Sequence, residues 1–464
     1  MSNFAKWWKS DRGPGPLLRI ALPLMLSSGF VSLTLFTDRT LLYYKSEAAA
    51  ASAMLGGTLY WALLCFPMGL LSYVSTFVAQ YIGAKEYSRV GVAYQHAMVV
   101  AAAFIPFLLI AWICIPYLLQ VTQQPEHLMA EETLYLRLLV VGGIGALFYF
   151  VQSGLLTGYG RTSTVLLLDG IATLFNIVLD VVLIFGWLGI PALGSSGAAI
   201  ATAAAFWIKV PLAYFCIRMD GSLRNQFLVQ HQHRWEREMF RRLLVYGIPA
   251  GLQLLCEAAC FSIIMLQVGR LGEMDMAATS LALGINVLAF VPLIGLGLGV
   301  GVMVGTQIVG GRVDLARRNV AMGLGLAIAY SLVFAFWVGL FPENASSVYS
   351  FGANAERFEA VQQQLIPLLQ LVGLYCIFDG IQIVLSGALK GAGDTWFVLG
   401  ATLVMSTLVV LGGLITQHAL GNSLLIWWYA ITAWVVLLAA VFVYRYWGSS
   451  WEKKRVIESS STSF

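Results

Sequence analysis

Five carboxylic acids, Asp38, Asp169, Asp180, Glu257 and Asp379, fall inside long apolar stretches of the chain. A charged side chain in hydrocarbon costs about 2.5–3.5 kcal/mol on insertion scales, so each acid needs a compensating role. None stands alone on its helix face, where residues three and four apart are neighbours. Thr34 precedes Asp38. Asp169, Thr173, Asn176 and Asp180 make one polar stripe. Gln253 precedes Glu257, and Asp379 sits between Tyr375 and Gln382. Only Arg39 reads as a clear cation among the apolar stretches, so ion pairing cannot neutralise all five acids. Some of them must be protonated or cation-bound for part of the time, which is the chemistry of a group that exchanges a proton for Na⁺ or for a cationic organic molecule. Na⁺ suits the oxygens of Asp379 and Tyr375, or of Asp180 and Asn176. The plain alternative is polar glue between helices. It suits a lone Asn or Thr better than five unneutralised acids. Asp169 is the weakest of the set, since it lies near one end of its stretch and can meet water or Arg161 there.

The elements that carry these residues are membrane helices. Of 464 residues, 59% are hydrophobic and 11% charged, and the mean hydropathy is +0.80. A soluble domain carries roughly 25% charged residues. Apolar runs recur along the chain, many exceeding the ~18–20 residues that cross a bilayer. With charge, Gly and Pro as breakers, spans are expected near 17–42, 53–82, 91–119, 133–157, 163–186 and 194–217. After a polar connector come six more, near 243–269, 276–309, 319–341, 361–388, 396–416 and 424–447. The expected divisions are an N-terminal six-helix bundle over 1–217, a connector over 218–242, a C-terminal six-helix bundle over 243–447 and a tail over 448–464. The first basic residues and apolar run do not read as a signal peptide, because the run is too long, lacks a small-residue cleavage site and contains Asp38.

Alternate connections carry Lys85 and Arg89, Arg161, the six arginines of 218–242, Arg312, Arg317 and Arg318, and Lys390, while the opposite loops hold only Lys45, Arg137, Arg270 and Arg357. The positive-inside rule then places both termini and the connector in the cytoplasm, and the +4 net charge is a topology signal that gives no reason to expect nucleic acid. The six cysteines form no CxxC pair, so neither a disulfide framework nor a zinc site is indicated. No G-x-x-x-x-G-K-[ST] loop is present, so uphill work would need an ion gradient in place of ATP.

The two halves read as one design written twice. Ala79-Gln80-Tyr81-Ile82-Gly83-Ala84-Lys85 lies over Thr306-Gln307-Ile308-Val309-Gly310-Gly311-Arg312, and Thr157-Gly158-Tyr159-Gly160-Arg161-Thr162 over Lys390-Gly391-Ala392-Gly393-Asp394-Thr395. Pro23 matches Pro249, and Pro67 matches Pro292. Six spans per repeat keep the insertion direction, so the bundles would be related by a pseudo-two-fold axis along the membrane normal. The fold expected is thus an all-α polytopic membrane protein of twelve transmembrane helices in two six-helix bundles. The G-x-G turns at 158–160 and 391–393 read as tight inter-helix turns, and Gly297, Gly301 and Gly305 as close helix packing. Gln253, Gln382 and Asn286 are candidates to line a substrate cavity.

In this arrangement the chain resembles the multidrug and toxic compound extrusion (MATE) family. The carriers are the duplicated twelve-span layout, Asn176-Ile-Val-Leu-Asp180 leading to Gly197-Ala-Ala-Ile-Ala-Thr202, the Gly158 and Gly391 turns, Glu257 in span seven and Tyr375-Cys-Ile-Phe-Asp379 in span ten. The resemblance implies a cation-coupled antiporter that exports organic, often cationic and amphipathic compounds, with H⁺ or Na⁺ as coupling ion and no cofactor. The NorM-like branch, the nearer one, implies a cation site at Glu257, Asp379 and Tyr375, where Na⁺ would bind. The DinF-like branch implies one at Asp38, Asn176, Asp180 and Thr202. This chain carries both sets. It departs from the family after Asp38, where Arg39-Thr-Leu-Leu-Tyr-Tyr-Lys45 replaces an uncharged, Gly-containing segment. An Arg beside Asp38 would hold it ionised, although sequence neighbours on a helix point about 100° apart.

The expectations are therefore an inner-membrane, multi-pass monomer that rocks two bundles about a central cavity, whose partners are small organic molecules and the lipid bilayer. A flippase for lipid-linked saccharides or precursors is the alternative within the same fold, but an anionic headgroup would want more cavity cations than Arg39. An intramembrane enzyme would need a metal or nucleophile motif that is not present. A passive channel would not need buried titratable groups in each half.

Overall fold

The structure is a computed structural model that describes residues 8, 10–45, 47–121, 126–187, 189–228, 235–347 and 355–458. Parts of the expected connector (229–234) and tail (459–464) lie outside those residues. All regular structure among the described residues is helical. Among the described residues, twelve helical stretches are long and apolar enough to cross a bilayer: Gly15–Lys45, Gly56–Gly83, Tyr87–Gln120, Met129–Gly158, Thr162–Phe185, Ser195–Met219, Arg237–Gly269, Glu273–Val309, Val313–Leu340, Glu359–Ala392, Thr395–Leu420 and Leu424–Trp447. Hydrocarbon offers no hydrogen bonds, so a spanning segment must satisfy its own backbone, and helices do this. The second and third stretches are each interrupted once, at Tyr73 and at Phe104. Apolar faces point outward along the spans, as on the ninth, where Leu332, Val333, Phe336 and Leu340 are all more than half exposed. Such a surface is stable only against lipid.

The chain divides into two units, and the boundaries fall inside the first helix of each half. One unit holds 1–25 and 253–455, the other 26–252 and 456–464. In the first unit, the opening turns of span one pack on span eight. A Cβ on Gly295 would strike the backbone of Leu24 and Met25, and one on Gly299 would meet Ala21 at 2.8 Å. In the other unit, the opening turns of span seven pack on span two in the same way. A Cβ on Gly69 would meet Gly251 Cα at 2.8 Å, and Gly247 lies against Leu70. Each unit thus takes the beginning of the other half's first helix. Small residues let backbones approach this closely. The Gly297/Gly301 stripe does so too, with a Cβ on Gly387 striking the Gly297 carbonyl and one on Gly391 striking that of Gly301.

The duplication is visible in two matched pairs of helix ends that share one closure, which the end at Gly186 (φ 79°) also adopts, with Trp187 N–H on the Val182 carbonyl at 3.0 Å. The N–H of Glu86 bonds the Tyr81 carbonyl at 2.9 Å, Arg161 that of Leu156 at 2.7 Å, Arg312 that of Gln307 at 2.9 Å and Asp394 that of Leu389 at 2.9 Å. The residue before each is left-handed: Lys85 (φ 62°), Gly160 (81°), Gly311 (73°) and Gly393 (104°). This six-to-one closure satisfies orphan carbonyls at a helix end and requires a positive φ, which glycine adopts freely. The second pair of turns keeps the alignment read from sequence. The first shifts it by one residue, because Lys85 occupies the place of Gly311 and not that of Arg312.

Candidate cation sites

In the unit of 26–252, span one brings Asp38 against span five and span six. Thr202 donates its hydroxyl to Asp38 Oδ2 at 3.2 Å. With the Asn176 amide turned so that its nitrogen faces the acids, it donates to Asp38 Oδ1 and Asp180 Oδ2, both at 3.2 Å, and accepts the Thr202 N–H at 3.3 Å. Asp38 and Asp180 are thus drawn to the same amide nitrogen. Asp180 and Asn176 are buried, Asp38 partly so. Four residues from three spans, all expected together, form one cluster. Its position follows from the polar stripe of span five, whose Thr173 also accepts a hydrogen bond from Thr34 of span one at 3.2 Å. Tyr135, on span four, packs in one core with Leu42 of span one, Ile184 of span five and Ala198 and Ala199 of span six. Sequence reasoning missed it because a tyrosine near a span end reads as an interfacial anchor.

Arg39 is exposed and makes no ion pair with Asp38 among the described residues. The helix turns it away, as the 100° step requires. The cation that matters in this unit is Lys209. Its ammonium lies 3.1 Å from Asp169 Oδ1, 4.7 Å from the Tyr149 ring centre and 4.9 Å from that of Phe206. Tyr149 donates its hydroxyl to the same carboxylate at 2.7 Å, and Ser27 donates to the other oxygen. Asp169 is therefore fully engaged. Arg161, the partner considered from sequence, binds Asp220 at 2.7 Å instead. The reading of Arg39 as the one intramembrane cation is corrected by Lys209, which sits in an Ala-rich span ten residues before its end, too deep to reach the interface readily. That depth was the available signal.

In the unit of 253–455, Gln253 donates to Glu257 Oε1 at 2.9 Å and to Ser386 at 3.4 Å, and Gln382 donates to Asp379 Oδ1 at 3.2 Å. Asp379 and Tyr375 are buried, while Glu257 keeps some exposure. The Gln253–Ser386 bond sets span seven against span ten, which carries Tyr375 and Asp379 one turn apart. The oxygens of Asp379, Glu257 and Tyr375 are hard donors of the kind that a proton or a small alkali cation accepts. Asn286 leaves its side-chain oxygen buried without a hydrogen-bond partner. Gln253 and Gln382, expected to line a cavity, are engaged with the acids.

A twelve-span helical protein with an isolated cluster of acids in each unit has the build of a membrane transporter. The MatE family model matches residues 23–182 and 249–415, most of the chain, and the protein belongs to that family. It is 28% identical over 453 residues to the probable multidrug resistance protein NorM of Pseudomonas putida, covering 95% of each chain. It is 25% identical over 422 residues to the multidrug resistance protein MdtK of Cronobacter sakazakii, covering 90% of this chain and 88% of that one. Among solved structures, the fold matches a MATE transporter in complex with MaL6 with a TM-score of 0.86 at 19% identity, over 98% of this chain and 100% of the other. It also matches an outward-facing multidrug resistance MATE transporter at 0.85 and 18%, again over 98% and 100%.

Proposed function

We propose that the protein is a secondary antiporter of the inner membrane, exporting organic, cationic and amphipathic compounds in exchange for H⁺ or Na⁺. The observation that carries the reading is the Asp38–Asp180 pair. An ionised carboxylate can only accept hydrogen bonds, and Asp38 Oδ1 and Asp180 Oδ2 share the one Asn176 amide nitrogen at 3.2 Å each, so a proton held between the acids would let them sit together. Loss of that proton sets two negative charges side by side, with Asn176 and Thr202 as the remaining donors. The cluster relieves this by taking a cation. Asp379 with Glu257 offers the same exchange in the other unit, where Na⁺ would meet the oxygens of Asp379, Tyr375 and Glu257. The relatives' multidrug resistance activity supports organic cargo, and carboxylates with aromatic neighbours suit cationic molecules.

Such an exchange drives export only if ion and cargo bind the two conformational states unequally. The direction of the coupling rests on the expected topology, with both termini and the 218–242 connector in the cytoplasm. The test is efflux of a fluorescent organic cation from vesicles containing the purified protein, with a pH gradient and a Na⁺ gradient imposed separately. At least one gradient should accelerate efflux over the zero-gradient rate. Equal rates under all three conditions would refute the antiporter.

A further inference from the structure

The segment that follows the last span is anchored twice. Ser450–Lys453 forms a 3₁₀ turn in which Trp451 is fully buried, stacks on Tyr446 at 5.2 Å and donates its indole N–H to the Tyr446 carbonyl at 2.9 Å. Glu452 pairs with Arg317 at 2.6 Å and Lys454 with Asp394 at 3.4 Å. These anchors belong to the unit of 253–455.

From Val456 onward the chain belongs to the unit of 26–252. Gln80, which is fully buried, accepts the backbone N–H groups of Val456 at 2.8 Å and Ile457 at 3.4 Å through one side-chain oxygen. Arg242 donates to the Val456 carbonyl at 3.0 Å. The Glu458 carboxylate lies 3.7 Å from both Arg89 and Arg242. The side chains of Val456 and Ile457 are buried. Two apolar side chains, consecutive backbone donors, a backbone carbonyl and a carboxylate are thus all recognised at once. Peptide grooves use the same set, with backbone bonds giving attachment and pockets giving choice of side chain.

We infer that Gln80, Arg89 and Arg242 form a recognition site for the segment Val456-Ile457-Glu458, and that this segment is a releasable strap whose docking biases the transport cycle. The inference rests on the antiporter reading. Residues 450–454 are held by the unit of 253–455 and residues 456–458 by that of 26–252, with a single residue between, so a transport cycle that moves these anchors apart must pull the strap free. The bonds suit release. Arg89 and Glu458 are each about one-third exposed (34% and 39%), where ion pairs contribute little, and the Gln80 bonds are between neutral groups. Release gives up the two N–H bonds to the Gln80 oxygen, and redocking restores them.

The test uses the full chain in vesicles and two readouts: trypsin cleavage at Lys454 and Arg455, and efflux of the fluorescent organic cation. Ile457→Asn and Gln80→Leu should expose the segment and raise the cleavage rate about tenfold. They should also change the turnover or half-saturating cation concentration by about threefold or more. Glu458→Asp should behave as wild type in both. Unchanged cleavage in the two disruptive variants would overturn the recognition site. Faster cleavage with wild-type turnover and half-saturation would overturn the strap. Absence of ion-driven efflux in the wild type would strike the antiporter reading and the strap's part in it, and cleavage would still judge the recognition site.

Discussion

Lys209 and Asp169 form an ion pair at 3.1 Å with both side chains about nine-tenths buried, at 11% and 9% exposure. Removing one partner of a buried pair leaves the other charge stranded, at a cost of about 3–5 kcal/mol, whereas replacing both with apolar groups is often near neutral. Lys209→Met should therefore lower the thermal midpoint of the detergent-solubilised protein sharply. Asp169→Asn added to it, which removes the charge and keeps an acceptor for the Tyr149 hydroxyl, should recover most of the loss. A double variant as unstable as the sum of the singles would show that the two groups are not coupled.

The glycine contacts give a second prediction with a built-in control. A Cβ on Gly387 would collide with the backbone carbonyl of Gly297, which has no freedom to yield, whereas nothing lies within 4 Å of the corresponding position on Gly400. Gly387→Ala should destabilise by about 1–3 kcal/mol. Gly400→Ala, in a helix interior, should stabilise by roughly 0.5–1 kcal/mol. Thermal unfolding of the two variants checks the opposite signs.

Acid sensitivity outside the membrane centres on Asp220. Burial pushes its carboxyl up, but the Ser222 hydroxyl, the Leu223 N–H, the Arg161 guanidinium and the Ser222 N–H outweigh this and hold it below its ordinary value of 3.8. A lowered folded-state value means the stabilisation is complete above the ordinary value and is lost as pH falls through the folded one. Wild type should therefore lose stability on acidification from about pH 4 downward by more than Asp220→Asn does. Parallel curves for the two proteins over that range would rule out the contribution.

Much of this architecture was legible in the sequence, for physical reasons. Apolar length gives spans because lipid leaves the backbone no alternative, and the twelve observed helices match the expected twelve to within a few residues at most ends. The polar stripe Asp169–Thr173–Asn176–Asp180 predicted an inward face, and Asp38, Asn176, Asp180 and Thr202 do meet. What one-dimensional spacing could not supply was distance between helices. It gave Asp169 the wrong cation, since Lys209 is forty residues away in sequence and reaches Asp169 only through the packing of span six. The one-residue shift at Lys85 arose because the alignment expected glycine at the left-handed position, and there a lysine holds it.

The two halves also repeat a contact with its charges reversed. Arg161 binds Asp220 at 2.7 Å in one unit, and Asp394, at the matching position of the second turn, binds Arg445 at 2.7 Å in the other. In both cases a residue just after the left-handed turn reaches the end of the last helix of its half. Asp394 is 2% exposed and Asp220 20%, so Asp394→Asn should destabilise more than Asp220→Asn at neutral pH. Thermal midpoints at pH about 7 give the comparison. Equal losses would mean that burial does not set the strength of this contact.

The central claim, that the intramembrane acids couple an ion to export, is tested most directly by ion-driven efflux in Asp38→Asn, Asp180→Asn, Glu257→Gln and Asp379→Asn, each in vesicles with matched protein content. The account predicts that at least one cluster fails as a unit: both members of a pair lose gradient-driven efflux by about a hundredfold or more while binding of the organic cation to the purified protein persists. Full gradient-driven efflux in all four variants would contradict it.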